Sequence, residues 1–310
     1  MFLHLELTTR CILACPGCAR TQWSDLLKRP VQKFDLDYHA LDKFLDCEQG
    51  QKIDGFVLCG DYGDPIYYPK LFEFLDHFRA TKKFNLHTNG SHRNQEFWNR
   101  LAGILNENDQ IIFGIDGLED TNHIYRINSD WHSIMTAVDT MAKSSIQVTW
   151  QTIVFKYNYQ HLEQIKKFAL QKGCKFTAEK THRFGNNELA PPNDFIEINH
   201  SFNDRFVHEH DIEIDPGCER EKVISANGVM YPCDWIRNPK TLYKSLLWKQ
   251  KEKWLDKLDI RNTTYDQAIA VVRDWADWVR ESSLLQRSTV DVLCKMKCRK
   301  NCQQNKFLEI

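Results

Sequence analysis

The stretch Cys11-Ile-Leu-Ala-Cys15-Pro-Gly-Cys18 spaces three thiols as C-x3-C-x2-C, directly after the short apolar run Leu3–Leu7. Three thiolates this close on one loop can hold three corners of a cubane iron–sulfur cluster and leave the fourth iron without a protein ligand. A small molecule can chelate that open iron. A zinc site is one alternative. It fits less well, because four-cysteine zinc sites usually show paired C-x2-C units and no fourth ligand stands nearby. The other alternative is three cysteines buried as small hydrophobes.

A second group follows far down the chain: Cys218, Cys233, and then Cys294, Cys298 and Cys302 at steps of four. One reading of the last three is a helix burying a single stripe. Lys295, Lys297, Arg299 and Lys300 surround them, which is poor company for a buried stripe. Structural zinc is a further alternative. Cys47, Cys59 and Cys174 are scattered singles, read as buried apolar residues. The segment Met1–Leu7 holds His4 and Glu6 and has no basic region before an apolar one, so it does not read as a secretion signal. A cytoplasmic location is expected, and eleven cysteines in a reducing compartment point to metal or redox use rather than disulfides. The chain has 310 residues, 42% of them apolar, enough for a large domain and a small one. Its net charge of −1 argues against a general nucleic-acid coat protein. The basic run near Cys298 still leaves a nucleic-acid or nucleotide substrate open. No apolar run reaches the roughly 18–20 residues of a membrane span, so no membrane partner is expected.

These cysteines need elements to position them. Short apolar runs at Leu3–Leu7, Gly55–Cys59, Phe84–Thr88, Ile111–Ile115, Gln147–Phe155 and Lys175–Glu179 read as strands. Between them, Tyr38–Cys47, Leu71–Phe78, Gln95–Leu105, Trp131–Lys143 and Tyr159–Lys172 read as helices. This alternation predicts an α/β fold, a parallel sheet closing into a partial (β/α)6 barrel over 1–185. Chemistry in such folds gathers at the C-terminal ends of the strands. The cysteine cluster, Gly60–Pro65, Thr88–Gly90 and Asp116–Gly117 each follow one strand, so four polar loops in register suggest one shared site. Residues 186–215 read as a connector. From there to 310 a small α+β domain is expected, with a hairpin at Val223–Tyr231 turning on Asn227-Gly228, and helices at Lys240–Leu258 and Asp266–Leu285. Trp275 and Trp278 on the last helix are read as packing residues.

The stretch Leu5-Glu-Leu-Thr-Thr-Arg-Cys11 through Cys18-Ala-Arg20 resembles the N-terminal signature of the radical S-adenosylmethionine (SAM) superfamily. Gly63-Asp64-Pro65 resembles the end of that family's GGEP segment. His87-Thr88-Asn89-Gly90 is similar to its TNG strand ending, and Gly114-Ile-Asp116-Gly117 with Tyr125-Arg126 to its S-x-DG…R region. The resemblance implies a 4Fe-4S cluster at Cys11, Cys15 and Cys18, and SAM held by Gly60, Gly63, Asp64, Thr88, Asn89, Asp116, Arg126, Gln151 and Val154. It further implies that an electron from the cluster cleaves a carbon–sulfur bond of SAM, and that the 5′-deoxyadenosyl radical takes a hydrogen from a substrate. Gly17 stands where the family usually has an aromatic residue, Ile12 where it often has Asn, and Asp64 where it has Glu.

Val223 to Cys233 resembles the opening hairpin of SPASM and twitch domains. That resemblance implies one auxiliary 4Fe-4S cluster on four of Cys218, Cys233, Cys294, Cys298 and Cys302. Asp234 is a candidate general base beside it. The expected activity is oxidation or crosslinking of a peptide or protein residue, fed by a flavodoxin or ferredoxin. Alternatives are oxidation or rearrangement of a small alcohol or sugar, or of a nucleotide. A non-catalytic zinc or iron–sulfur protein is the rival from another class. The first strand lies almost at residue 1, so a preceding peptide-binding domain is not expected.

Overall fold

The computed structural model describes residues 1–181, 183–193, 222–231 and 256–284. Cys218, Cys233, Asp234, Cys294, Cys298 and Cys302 lie outside the described residues, as does most of the expected helix at Lys240–Leu258.

Six strands, β1 (Phe2–Leu5), β2 (Gly55–Leu58), β3 (Lys83–Thr88), β4 (Gln110–Gly114), β5 (Gln147–Ile153) and β6 (Lys175–Glu179), pair in parallel and in chain order. Crossing back between them run α1 (Ala19–Leu27), α2 (Tyr38–Leu45), α3 (Glu48–Gln51), α4 (Leu71–Phe78), α5 (Gln95–Ile104), α6 (Asn122–Tyr125), α7 (Trp131–Met141), α8 (Lys156–Tyr159) and α9 (Leu162–Gln171). This is the expected α/β sheet, six parallel strands joined by five helical crossovers.

Strand side chains alternate between the two faces, and the sequence uses that alternation. Leu3, Leu5, Phe56, Leu58, Phe84, Leu86, Ile111, Phe113, Val148 and Trp150 all enter the main core with the apolar stripes of the helices. The residues between them, His4, Asn85, His87, Gln151 and Thr177, form a polar face only partly covered. Helix α2 shows the pairing of stripe and cap. Leu41, Phe44 and Leu45 bury one side, each worth about 1.5–3 kcal/mol when fully covered. Asp37 accepts from the backbone N–H of His39 at 3.0 Å and of Ala40 at 3.3 Å. Asp37→Ala is expected to cost about 1 kcal/mol in urea unfolding, the usual worth of such a cap.

The hairpin expected at Val223–Tyr231 is present as β7 (Val223–Ile224) and β8 (Met230–Tyr231), antiparallel, with Gly228 at φ +84° in the turn. It extends the sheet rather than standing apart. β7 pairs in parallel with β1, His4 opposite Val223 and Leu5 opposite Ile224, giving the order β6-β5-β4-β3-β2-β1-β7-β8. The last described helix, α10 (Tyr265–Leu284), also returns to the first third of the chain. Tyr265 meets Phe44 edge-on, with ring centres 5.7 Å apart, and Asp266 accepts from Gln49 N–H at 3.1 Å. Trp275 is buried in the same core, as expected of a packing residue. No helix among the described residues is long and apolar enough to cross a membrane.

Candidate active site

The loops after β1, β2, β3 and β4 meet at one end of the sheet, and hydrogen bonds join them in sequence. Asp64 is the centre of this frame. Its Oδ1 accepts from Thr88 Oγ1 at 2.8 Å and Ile66 N at 3.2 Å. Its Oδ2 accepts from the backbone N–H of Asn89 at 2.7 Å and from the Asn89 side-chain amide. All four acceptor positions of the carboxylate are thereby filled. Burial pushes the Asp64 carboxyl pKa up, while the N–H groups of Asn89 and Ile66 and the Thr88 hydroxyl favour the charged form. Asn89 then reaches the cysteine loop, its amide donating to Cys11 Sγ at 3.7 Å.

The Gly60–Pro65 loop lies directly on the backbone leading to Cys11. Asp64 N–H donates to Arg10 O at 2.9 Å. A Cβ on Gly63 would fall 1.9 Å from Thr8 O and 2.9 Å from Arg10 N, atoms of the main chain that cannot swing aside. Gly63→Ala therefore has to separate the two loops. We expect a loss of about 1–3 kcal/mol in thermal unfolding, as for other overpacked sites, together with reduced iron uptake.

The cysteine loop is held on its other side by the segment after α6. Ala14 N–H donates to Ile127 O at 3.0 Å, Asn128 Nδ2 donates to Ile12 O at 3.4 Å, and Arg20 donates to Leu13 O. Cys15 is buried among Leu13, Tyr125, Ile153 and Phe155, with Cys11 and Cys18 partly buried beside it. Cys18 Sγ donates to Asp61 O at 3.4 Å. Burial, and then the charge of Asp64, pushes the Cys11 thiol up to about 12. Burial also raises Cys15, against the pull of Arg126 and Arg183. Such thiols are protonated until a cation arrives, and binding must then release the protons.

Asp116 and Arg126 make a second buried unit. Arg126 Nε donates to Asp116 Oδ2 at 2.6 Å, and Ile153 N–H donates to Oδ1 at 2.7 Å. Burial opposes the Arg126 charge, but Asp116 and Cys15 outweigh it and raise the pKa. Asp116 O accepts from Tyr157 Oη and Asn158 Nδ2, both at 2.8 Å.

Of the residues expected at the cofactor, Gly60, Gly63, Asp64, Thr88, Asn89, Asp116 and Arg126 are gathered around the three thiols. Gln151 lies on the polar face of β5, level with Gly114 and Thr177. Val154 does not join them. It is fully buried on the opposite side with Leu162 and Ala178. Ile153 and Phe155 are the β5-end residues that face the cysteine loop. The framing residues Glu6, whose carboxylate accepts from Tyr62 N–H at 2.7 Å, and Asn158 were not expected. Asn158 had a local signal: it stands three residues after Phe155 and bonds Phe155 N–H, as a helix-start residue does.

Among the described residues, no three His, Cys, Asp or Glu side chains converge as around a single metal ion. Sulfurs at about 2.3 Å from one ion must crowd together. The thiolates of a cubane sit on three different irons and need not. The donor set itself suits such a cluster. It offers three soft thiols, an amide donating to Cys11 Sγ, an apolar wall, and the positive charges of Arg126 and Arg183 beside Cys15.

No family model matches the chain. Its structure is similar to that of Streptococcus suis SuiB bound to precursor peptide SuiA, with a TM-score of 0.55 at 13% identity, over 78% of this chain and 60% of SuiB. It is also similar to anSMEcpe with bound AdoMet and Cp18Cys peptide, with a TM-score of 0.55 at 15% identity, over 95% of this chain and 87% of that one. The chain has the radical SAM fold. In sequence it is 24% identical over 189 residues to a tungsten-containing aldehyde ferredoxin oxidoreductase cofactor-modifying protein of Pyrococcus furiosus. That match covers 56% of this chain and 49% of the relative, so the chain spans about half the length of the curated protein it matches. The four loops of the candidate site lie at the strand ends where this radical SAM fold was expected to place them.

Proposed function

We propose that this protein is a radical SAM enzyme, with a 4Fe-4S cluster on Cys11, Cys15 and Cys18 and SAM beside it. The observation that carries the reading is the continuous frame from Arg10 O through Asp64 to Thr88, Asn89 and Cys11 Sγ. It ties the ends of β2 and β3 to the three-thiol loop that follows β1. When bound, the cluster and SAM supply one electron and a 5′-deoxyadenosyl radical that takes a hydrogen from a C–H bond.

The chain's own residues bind, orient and shield. Asp64 holds the Gly60–Pro65 loop and the Thr88–Asn89 turn in place with its full set of acceptor positions. The loop's backbone carbonyls would hold the amino group of SAM. Asp116 and Arg126 would hold its ribose and carboxylate, and Gln151 its nucleoside. Leu13, Tyr125, Ile153 and Phe155 keep water from the thiols.

A second 4Fe-4S cluster on four of Cys218, Cys233, Cys294, Cys298 and Cys302 belongs to this reading. Its support is the hairpin between the first two of these cysteines, which is formed as expected. A flavodoxin or ferredoxin supplies electrons. The substrate class we favour is a peptide or protein residue, oxidised or crosslinked, with Asp234 as the general base. Both structural neighbours named above are described with a bound peptide. A cavity of about 510 Å³ between Trp23, Phe34, Tyr62 and the hairpin residues Ser225 and Tyr231 leaves room for a side chain.

The test is anaerobic reconstitution of the full chain with iron and sulfide, followed by SAM and dithionite. Formation of 5′-deoxyadenosine supports the reading. Protein with a full iron complement that leaves SAM intact refutes it.

A further inference from the structure

We infer that Arg183 is the counter-charge that sets the reduction potential of the cluster bound at Cys11, Cys15 and Cys18. The inference rests on the radical SAM reading above and adds a tuning residue from outside the cysteine loop.

Gly17 is the reason Arg183 can be there. A Cβ at Gly17 would fall 2.5 Å from Arg183 Cβ, 3.0 Å from Arg183 O and 2.9 Å from Tyr125 Oη. The segment after β6 is thus wedged against the loop backbone one residue before Cys18. Any side chain at 17 drives it away.

Three arginines surround the thiols, and they differ in what else they do. Arg126 is neutralised by Asp116 at 2.6 Å. Arg20 is bound into the loop itself, donating to Leu13 O, so replacing it disturbs the ligands. Arg183 comes from a separate segment, its side chain is exposed, and among the described residues it forms no ion pair. The charged or ionisable groups in its range include the Tyr125 hydroxyl, Cys15, Cys18 and Asp61. Tyr125 Oη is itself buried without a hydrogen-bond partner.

A cluster on three thiolates becomes more negative when it gains an electron. A fixed cation beside it favours the reduced form, by an amount that depends on local screening. Glutamine keeps most of the shape of Arg183 and removes the charge. Lysine keeps the charge and loses the planar fork.

The experiment is a redox titration followed by electron paramagnetic resonance on full-length, reconstituted wild type, R183Q and R183K. The expected result is a shift to more negative potential in R183Q at unchanged iron content, with R183K close to wild type. An R183Q protein that titrates with wild type overturns the inference, as does an R183K protein displaced as far as R183Q. Should R183Q fail to fold, Gly17→Ala carries the test. It pushes Arg183 outward with every charge retained, and an unchanged potential there is equally fatal. Wild-type protein that takes up no iron refutes the radical SAM reading itself, which separates the two failures.

Discussion

Replacing Cys11, Cys15 and Cys18 together with alanine is expected to lower the iron content from about eight to about four per chain and to abolish SAM cleavage, because each cubane carries about four irons. The three thiols are the only cysteines within the loop that the Asp64 frame and the Ile127–Asn128 segment hold in place. Alanine at these positions removes the ligands and leaves that backbone frame intact, so the second cysteine group should still load. Wild type holding about four irons with active cleavage would remove the auxiliary cluster from the proposal and leave the enzyme. A triple variant that still cleaves SAM would remove the site.

Asp116→Ala is expected to cost about 3–5 kcal/mol, the range for removing one partner of a buried ion pair. The Asp116 side chain is fully buried and that of Arg126 is 15% exposed, so little water is at hand to replace the carboxylate. The loss has two parts. Arg126 keeps its charge without its partner, and Ile153 N–H loses its acceptor at the point where β5 ends. Asp116→Asn retains the shape and can still accept from Ile153, so it should cost less than alanine. Urea unfolding of the two variants measures the difference. A cost below about 1 kcal/mol for alanine, the level of an exposed pair, would show that the pair is not held as described.

Most strands were readable because they are apolar runs facing a helix layer, and the loops of the candidate site because cysteine spacing and glycine-rich turns survive without any structural context. What escaped has physical reasons. Helix α1 buries none of its residues, so it has no apolar stripe to reveal it. The expected helix Tyr159–Lys172 begins three residues late, at Leu162 in α9, and the short α8 before it carried no apolar stripe; its start is fixed by Asn158 accepting from Phe155 N–H. Val154, just past the end of β5, packs with Leu162 and Ala178, a neighbourhood that its sequence position beside Gln151 does not reveal. Asp64 was legible as the acid of its loop, but nothing in the sequence could say that Ile66 in the same loop and Thr88 and Asn89 at the end of β3 supply it with four donors.

The pairing of β7 with β1 has a consequence for how the chain is made. His4 and Leu5 leave the ribosome well before Val223 and Ile224, the residues that stand opposite them in the sheet. Gln49 likewise waits for Asp266. The strand that presents the cysteine loop therefore keeps one edge open until Val223 and Ile224 have been made. Such an edge invites pairing with other chains, and long-range contacts of this kind form slowly. Overproduction should accordingly favour slow translation and low temperature, and the N-terminal strand is the segment to watch for misassembly.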